Sequence, residues 1–323
     1  MTRKYRKLSA AAFAVALSFC FHASVTWACD GQNAPAKPDL VPGMEPLTTD
    51  YDRCIHEPSS AEGAKKGTDG SGYGRAISSA LNSNFGRYIS ELRRNGLDLV
   101  LVIDGTGSMK MPIDDIAVRV RQIIFAIHRL VPTARIGAVV YYDKGVKMKS
   151  LPLTMSSEKL DTFFRAKDLC GCASWQADML GGIRTAIDEM DWKPYARRVI
   201  VLVGDSPPDK QDFASLLQPI RKFNAENGAF NIVDVAPQEH ERFEKMYWTR
   251  VHHKAPPKES WFPEYDRETQ KSFREMATAG GGTMKPLMPR DNIGQVLLVL
   301  AFGEKWEQDT AQFGKAIAAG GGK

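Results

Sequence analysis

Two apolar segments of the chain each end in an aspartate, and this pairing is the feature of the sequence with most chemical content. The run at 99–103 leads directly into Asp104, and the run at 199–203 leads through one glycine into Asp205. Continuous apolar runs of this length are typical of strands covered on both faces, as in a parallel sheet between helices. Ligands of such sheets bind at the carboxyl ends of the strands. We therefore expect the two carboxylates to lie together at one edge of the sheet.

The first aspartate also opens a loop that offers further oxygen ligands. Asp104, Thr106 and Ser108 alternate with glycines, so one carboxylate and two hydroxyls occur at every second position. Hard divalent cations prefer oxygen ligands. Two converging carboxylates repel each other, whereas a divalent cation stabilises both charged forms. The residues predict a cation site, and the alternative is that these side chains only cap the helices that follow.

These motifs closely resemble the metal-ion-dependent adhesion site (MIDAS) of von Willebrand factor type A (vWA) domains, whose first motif is D-x-[ST]-x-S. Residues 104–109 resemble the D-x-T-G-S-M form of exported bacterial members, and residues 204–208 resemble their G-D-x-P-P loop. The resemblance covers about residues 97–305. It implies an α/β fold with a Rossmann-like, open and mostly parallel sheet, helices on both faces, and one antiparallel edge strand near residues 135–154.

The family pattern also implies a set of metal ligands. It makes Thr106 and Ser108 hydroxyl ligands, while Asp104 and Asp205 bind the ion directly or through water. We expect Mg²⁺, with Mn²⁺ or Ca²⁺ as alternatives, because octahedral oxygen coordination leaves a position open. In the family, an acidic residue of a protein partner fills that position.

The middle loop is where this chain departs from the family pattern. Family members usually place a threonine or an aspartate there, whereas residues 170–178 read Cys-Gly-Cys-Ala-Ser-Trp-Gln-Ala-Asp. Ser174 aligns best when residues are counted back from 181–183, and Asp178 is the second choice. The identity of this ligand stays open between the two.

The amino terminus has the pattern of an export signal. Four basic residues precede an apolar stretch at 8–25, and residues 26–28 form a small-residue cleavage site. We expect residues 1–28 to be removed and the product to be periplasmic or secreted; an uncleaved segment that anchors the chain is the alternative. No later apolar run is long enough to cross a bilayer. The signal supplies four of the five net positive charges, so the remaining +1 gives no support to nucleic-acid binding.

Composition and periodicity divide the rest of the chain. Residues 29–73 are rich in Pro, Gly, Ser and Lys and predict an irregular segment, and 74–96 predict an amphipathic helix. Strand and helix patterns then alternate through one α/β domain at 97–305. Within it, residues 237–267 are an insertion rich in charges, histidines and aromatics. We expect it to wall the cation site and select the partner; the alternative is a loop that covers core. Residues 306–323 are predicted as a C-terminal tail.

The cysteines favour disulfide bonds. Loss of Cys20 with the signal leaves Cys29, Cys54, Cys170 and Cys172, an even number in an exported chain. Cys29 with Cys54 is the preferred pair, because it would tie down the amino terminus. A bridge across the single residue of the last pair would be strained and relatively reducible, which keeps a redox role open.

The sequence favours a binding module over an enzyme. It contains no G-x-x-x-x-G-K-[ST] phosphate loop, and Ser206 does not lie in a G-x-S-x-G elbow. We expect a divalent ion to hold an acidic residue of a partner. The alternatives are a redox or hydrolytic periplasmic enzyme that uses Cys170 and Cys172 or the histidine-bearing insertion, and an envelope scaffold whose ion site has lapsed.

Overall fold

The computed structural model describes residues 84–166, 177–257, 260 and 262–320. All of these belong to the unit that spans residues 64–323. Several predictions fall outside the described residues: the signal, the irregular segment at 29–73, the disulfide candidates and one metal ligand (Cys29, Cys54, Cys170, Cys172 and Ser174).

The described residues form a six-stranded sheet with the order β3-β2-β1-β4-β5-β6. All neighbours pair in parallel except β2 and β3, which pair antiparallel at one edge. The strands are β1 (Leu97–Asp104), β2 (Arg135–Tyr141), β3 (Lys149–Thr154), β4 (Arg197–Gly204), β5 (Gly228–Asp234) and β6 (Gly281–Pro286).

Nine helices follow or flank these strands in the described ranges. They are α1 (Asn84–Asn95), α2 (Lys110–Leu130), α3 (Ser157–Phe164), α4 (Met179–Asp188), α5 (Phe213–Ala225), α6 (Ala236–Val251), α7 (Pro263–Ala279), α8 (Ile293–Phe302) and α9 (Glu307–Gly320). Within this set, no helix is both long and apolar enough to cross a membrane.

Two hydrophobic layers hold the helices against the two faces of the sheet. Because side chains alternate along a strand, Leu99, Leu101 and Ile103 of β1 point into one layer, and Val100 and Val102 point into the other. The first layer contains side chains of α1, α2 and α8, and the second contains side chains of α4, α5 and α7. Burial on both faces explains why β1 is apolar without alternation.

The predicted fold class is confirmed, and the structure adds detail on three segments: the amphipathic helix, the C-terminal tail and the insertion. The amphipathic helix is described from Asn84, and it buries Phe85, Ile89 and Leu92 before Gly96, at φ +96°, ends it. The segment predicted as a tail contains α9, in which the Thr310 hydroxyl donates to carbonyl oxygens of the preceding turn. The predicted insertion at 237–267 is largely helical, since it comprises most of α6 and the start of α7.

Candidate metal centre

The two aspartates converge at the carboxyl edge of the sheet. β1 and β4 are neighbours, and their register sets Ile103 beside Val203, so that Asp104 and Asp205 leave adjacent strand ends. A Cβ atom placed on Gly204 would lie 3.7 Å from the Cβ of Asp104. Both aspartates are buried, with exposed fractions of 1% and 5%.

The loop after β1 turns the two predicted hydroxyls toward each other. The Thr106 amide donates to Asp104 Oδ1 at 2.9 Å, and the Thr106 and Ser108 hydroxyl oxygens are 3.3 Å apart. The Met109 amide then donates to the Thr106 carbonyl, which closes a short 3₁₀ turn before α2. Only glycine fits at position 105, because a Cβ there would lie 2.5 Å from the Tyr142 ring.

One oxygen of the Asp104 carboxylate is buried without a hydrogen bond to any described residue, namely Oδ2. Burial raises the pKa of Asp104 above its ordinary value, and the negative charge of Asp205 raises it further. Hydrogen bonds from Thr106 and the nearby Tyr141 hydroxyl oppose this shift but do not cancel it. A buried charged group without a partner is costly, and a cation removes that cost.

The donor set fits a hard divalent cation. Two carboxylates and two hydroxyls are all oxygen donors, which suit Mg²⁺, Mn²⁺ or Ca²⁺ rather than soft metals. Across the described ranges, no group of three or more His, Cys, Asp and Glu side chains has an arrangement that could hold a metal ion. Among the described residues, a cation here would need the hydroxyls of Thr106 and Ser108 in addition to the carboxylates.

Tyr141 lies at the site and was not identified from the sequence. It pairs with Asp104 across β1 and β2, is fully buried, and its hydroxyl has no hydrogen-bond partner by distance and angle among the described residues. Burial raises the pKa of Tyr141 well above its ordinary value, and the charges of Asp104 and Asp205 add to the shift. The signal for Tyr141 in the sequence is its position at the end of an apolar run, which predicts burial in the core but not proximity to the carboxylates.

Two further acidic residues extend the negative environment to β5 and α6. Asp234 pairs with Gly204 across β4 and β5, is fully buried, and accepts one hydrogen bond from the Ala236 amide at 3.1 Å. Burial raises the pKa of Asp234 to about 7. Burial likewise raises the pKa of Glu239 to about 7, against the effect of Arg242. Strand order brings Asp234 near Asp205, which sequence spacing does not reveal, whereas Glu239 lies in the 237–267 segment that was expected beside the site.

Helix α6 lies against the start of α2, beside the site. Arg242 donates to Asp115 of α2 at 3.0 Å and to Glu239 at 2.7 Å. His240 Nδ1 is 2.6 Å from Asp266 Oδ1 of α7, and the His240 ring stacks on Phe262 at a centroid distance of 4.0 Å. These contacts fix α6 to both α2 and α7 along the edge where β1 and β4 end.

Helix α7 reaches the site through Tyr265. The Ser206 hydroxyl donates to Asp205 Oδ1 at 2.8 Å, next to the strand end. Burial raises the pKa of Tyr265, a hydrogen bond with Ser206 opposes the shift, and the charges of Asp205 and Asp104 add to it. The predicted insertion therefore contributes side chains beside the carboxylates.

The structure describes only one of the two candidates for the middle ligand, which is Asp178. Ser174 lies outside the described residues. Asp178 is the N-cap of α4, because its Oδ1 accepts from the Gly181 amide at 2.9 Å. The Asp178 amide donates to the Tyr142 carbonyl at 2.7 Å, so the end of this loop reaches the same sheet edge as Asp104. The Asp178 carboxylate thus has a structural role as a helix cap.

The sheet order, the antiparallel edge strand and the paired carboxylates define the described domain as a vWA-like α/β domain. The resemblance seen in the sequence is confirmed at the level of the fold. No protein-family model and no curated protein matches the chain.

Several solved structures are similar to the domain. One is the pilus adhesin SpaC from Lactobacillus rhamnosus GG in its open conformation, with 10% identity, a TM-score of 0.45, and coverage of 66% of this chain but only 30% of the adhesin. Another is the conserved hypothetical protein BatB from Bacteroides thetaiotaomicron, with 12% identity, a TM-score of 0.45 and coverage of 68% and 100%. A third is the SpRpn10 VWA domain, with 14% identity, a TM-score of 0.42 and coverage of 62% and 93%. The fold assignment itself rests on the strand order and not on these similarities.

Proposed function

We propose that this chain is an exported protein-binding module that uses a divalent cation to hold an acidic residue of another protein. Asp104, Thr106, Ser108 and Asp205 are the proposed ligands, and Ser174 is the preferred middle ligand. The observation that carries the proposal is the buried Asp104 Oδ2, which has no hydrogen bond to a described residue and lies close to a second buried carboxylate.

Neighbouring residues of the chain would position the metal-binding carboxylates. The Thr106 amide fixes the orientation of the Asp104 carboxylate, and the Ser206 hydroxyl does the same for Asp205. A bound cation would supply one open coordination position for a carboxylate from outside.

Helices α6 and α7 would restrict which partners reach the cation. Arg242 holds α6 against α2, and a hydrogen bond joins the Tyr265 side chain to Ser206, next to Asp205. Aromatic and arginine side chains are the types that most often dominate binding energy at protein interfaces. This supports the prediction that the 237–267 segment walls the site.

The histidine-bearing alternative has one supporting contact, the short bond between His240 and Asp266. The His240 ring is stacked on Phe262 and its side chain is only 16% exposed, so the pair joins α6 to α7. This packing favours a structural role over hydrolysis. The redox alternative at Cys170 and Cys172 lies outside the described residues, and titration of reactive thiols would test it.

Calorimetric titration of Mg²⁺, Mn²⁺ and Ca²⁺ into the purified protein tests the proposal. We expect saturable binding that is lost in both Asp104→Asn and Asp205→Asn. Asp209→Asn is the matched control, because this partly exposed aspartate follows the same strand but pairs with Lys144. Equal binding by Asp205→Asn, or no binding by the unchanged protein, would contradict the proposal. The lapsed scaffold would then be the better account.

A further inference from the structure

The side chain of Tyr141 is held between glycines of two neighbouring elements. A Cβ atom placed on Gly182 of α4 would lie 2.8 Å from Cδ1 of the Tyr141 ring, so a larger residue does not fit there without movement. Glycine inside a helix is unfavourable relative to alanine, and at this position it makes room for the ring. At the far end of the ring, the Tyr141 hydroxyl lies 3.5 Å from a Cβ atom placed on Gly204 of β4. The side chain therefore reaches from β2 across β1, with its hydroxyl beside the end of β4.

Tyr141 and Asp104 present their side chains on the same face of the sheet. Tyr141 packs in the hydrophobic layer that contains Val100 and Val102 of β1. Asp104 follows these valines at the next alternate position, so its side chain lies on this face as well. The two residues are also direct neighbours in the register of β1 and β2. The phenol of Tyr141 thus lies beside the Asp104 carboxylate in the interior of the domain.

Two buried polar atoms at this point have no well-formed hydrogen bond to a described residue. They are the hydroxyl oxygen of Tyr141 and Oδ2 of Asp104. Their chemistry is complementary, because a phenol hydroxyl can donate and a carboxylate oxygen can only accept. A buried hydroxyl without a partner is costly, so a phenylalanine would fill the same space more favourably. The hydroxyl therefore adds nothing to the packing and is available to the carboxylate.

We propose that Tyr141 is a positioning residue of the cation site, whose hydroxyl donates to Asp104 Oδ2 when a cation is bound. The inference rests on the proposed function. A bound cation keeps Asp104 charged, and a charged acceptor strengthens a hydrogen bond. The Thr106 amide already holds Oδ1, so the Tyr141 hydroxyl completes the orientation of the carboxylate. Because a carboxylate has about four acceptor positions, Oδ2 can accept this bond and still face the cation.

Tyr141→Phe tests this role, because it removes the hydroxyl and keeps the ring between the two glycines. Calorimetric titration should show that the variant binds Mg²⁺ about tenfold more weakly than the unchanged protein, as is typical when a partner of a metal ligand is lost. Urea unfolding in chelator should show no loss of stability, since the hydroxyl has no well-formed hydrogen bond to a described residue there.

Tyr88→Phe is the matched control for the loss of a tyrosine hydroxyl. The Tyr88 hydroxyl donates to the Phe302 carbonyl at 2.8 Å, a contact that joins α1 to α8. This variant should therefore lose stability in chelator and keep the Mg²⁺ affinity of the unchanged protein. A purely structural role of Tyr141 would give the pattern of Tyr88 and not the reverse pattern.

Near-ultraviolet difference absorbance provides a signature of the hydrogen bond itself. The absorption of a tyrosine shifts when its hydroxyl donates to a charged acceptor. Addition of Mg²⁺ should therefore give a tyrosine difference spectrum in the unchanged protein and in Tyr88→Phe, and this signal should be reduced in Tyr141→Phe.

The outcomes separate this inference from the proposed function. Mg²⁺ binding by Tyr141→Phe with the affinity of the unchanged protein, an undiminished difference spectrum, or a loss of affinity together with a loss of stability in chelator overturns the role of Tyr141. Each of these results leaves the cation site itself standing. Absence of Mg²⁺ binding by the unchanged protein overturns the proposed function and this inference with it.

Discussion

Asp104 uses one carboxylate oxygen to hold the loop after β1, while the other has no hydrogen bond to a described residue. A charged carboxylate in this position is stabilised by Thr106 and destabilised by burial and by Asp205. Residues held in unfavourable electrostatic environments are typical of functional sites. On the proposed function, the arrangement trades stability of the metal-free fold for affinity toward a cation.

Asp104→Asn should have opposite effects on stability with and without a divalent cation. In chelator it should raise the free energy of unfolding by about 1–3 kcal/mol, because a neutral amide replaces a buried charge and still accepts from Thr106. With excess Mg²⁺ the unchanged protein should gain about 2.7 kcal/mol at a hundred times the dissociation constant, and the variant should gain nothing. Urea unfolding under the two conditions measures both values. A destabilised variant in chelator would contradict this account of Asp104.

Asp234 should make the metal-free protein less stable as the pH rises. Its pKa is about 7 in the folded protein and 3.8 ordinarily, so in this range the folded state retains a proton that the unfolded state releases. The stabilisation is complete below about pH 4 and is lost as the pH rises through about 7. Asp234→Asn should flatten this slope in urea unfolding between pH 5 and pH 8, whereas Asp209→Asn should not. An unchanged slope in Asp234→Asn would refute the assignment.

The motif residues of the site could be predicted from the sequence, because Asp104, Thr106 and Ser108 are close in the chain. Asp205 could be added because both aspartates end apolar runs. Glu239 lies in the 237–267 segment that was expected at the site. Tyr141 and Asp234 could not be placed there, since their proximity depends on the order of strands across the sheet. Local spacing contains no information on that order.

The presence and type of the elements that carry the site were predicted from the sequence, whereas their first and last residues were predicted less accurately. The antiparallel edge was expected near residues 135–154, and the structure has β2 at Arg135–Tyr141 and β3 at Lys149–Thr154. Helix α2 begins at Lys110, because the 3₁₀ turn after Thr106 leads directly into it. Such ends depend on caps and turns, which apolar periodicity does not report.

At this scale, Asp178 offers a prediction that separates a cap from a metal ligand. Asp178→Ala should lower stability by about 1 kcal/mol, since α4 loses its N-cap. Asp178→Asn should keep the cap through its amide oxygen and should bind Mg²⁺ as the unchanged protein does. Thermal unfolding and calorimetry measure the two effects. Loss of Mg²⁺ binding in Asp178→Asn would show that this carboxylate, rather than Ser174, is the middle ligand.

For the whole molecule, one sheet edge holds the paired carboxylates and the buried Tyr141, and helices α6 and α7 lie beside them. Arg242 joins α6 to α2, and the contact between His240 and Asp266 joins α6 to α7. On the proposed function, these two helices would limit which partners reach the cation.

X-ray diffraction from crystals grown with Mn²⁺, recorded at the manganese absorption edge, tests the central claim most directly. The account predicts an anomalous peak bounded by Asp104, Thr106, Ser108 and Asp205, within about 2.5 Å of their ligating oxygens or of bridging waters. The same experiment on Asp205→Asn crystals should show no peak there. A peak elsewhere only, or an empty site at saturating Mn²⁺, would contradict the proposal that this chain binds its partner through a cation.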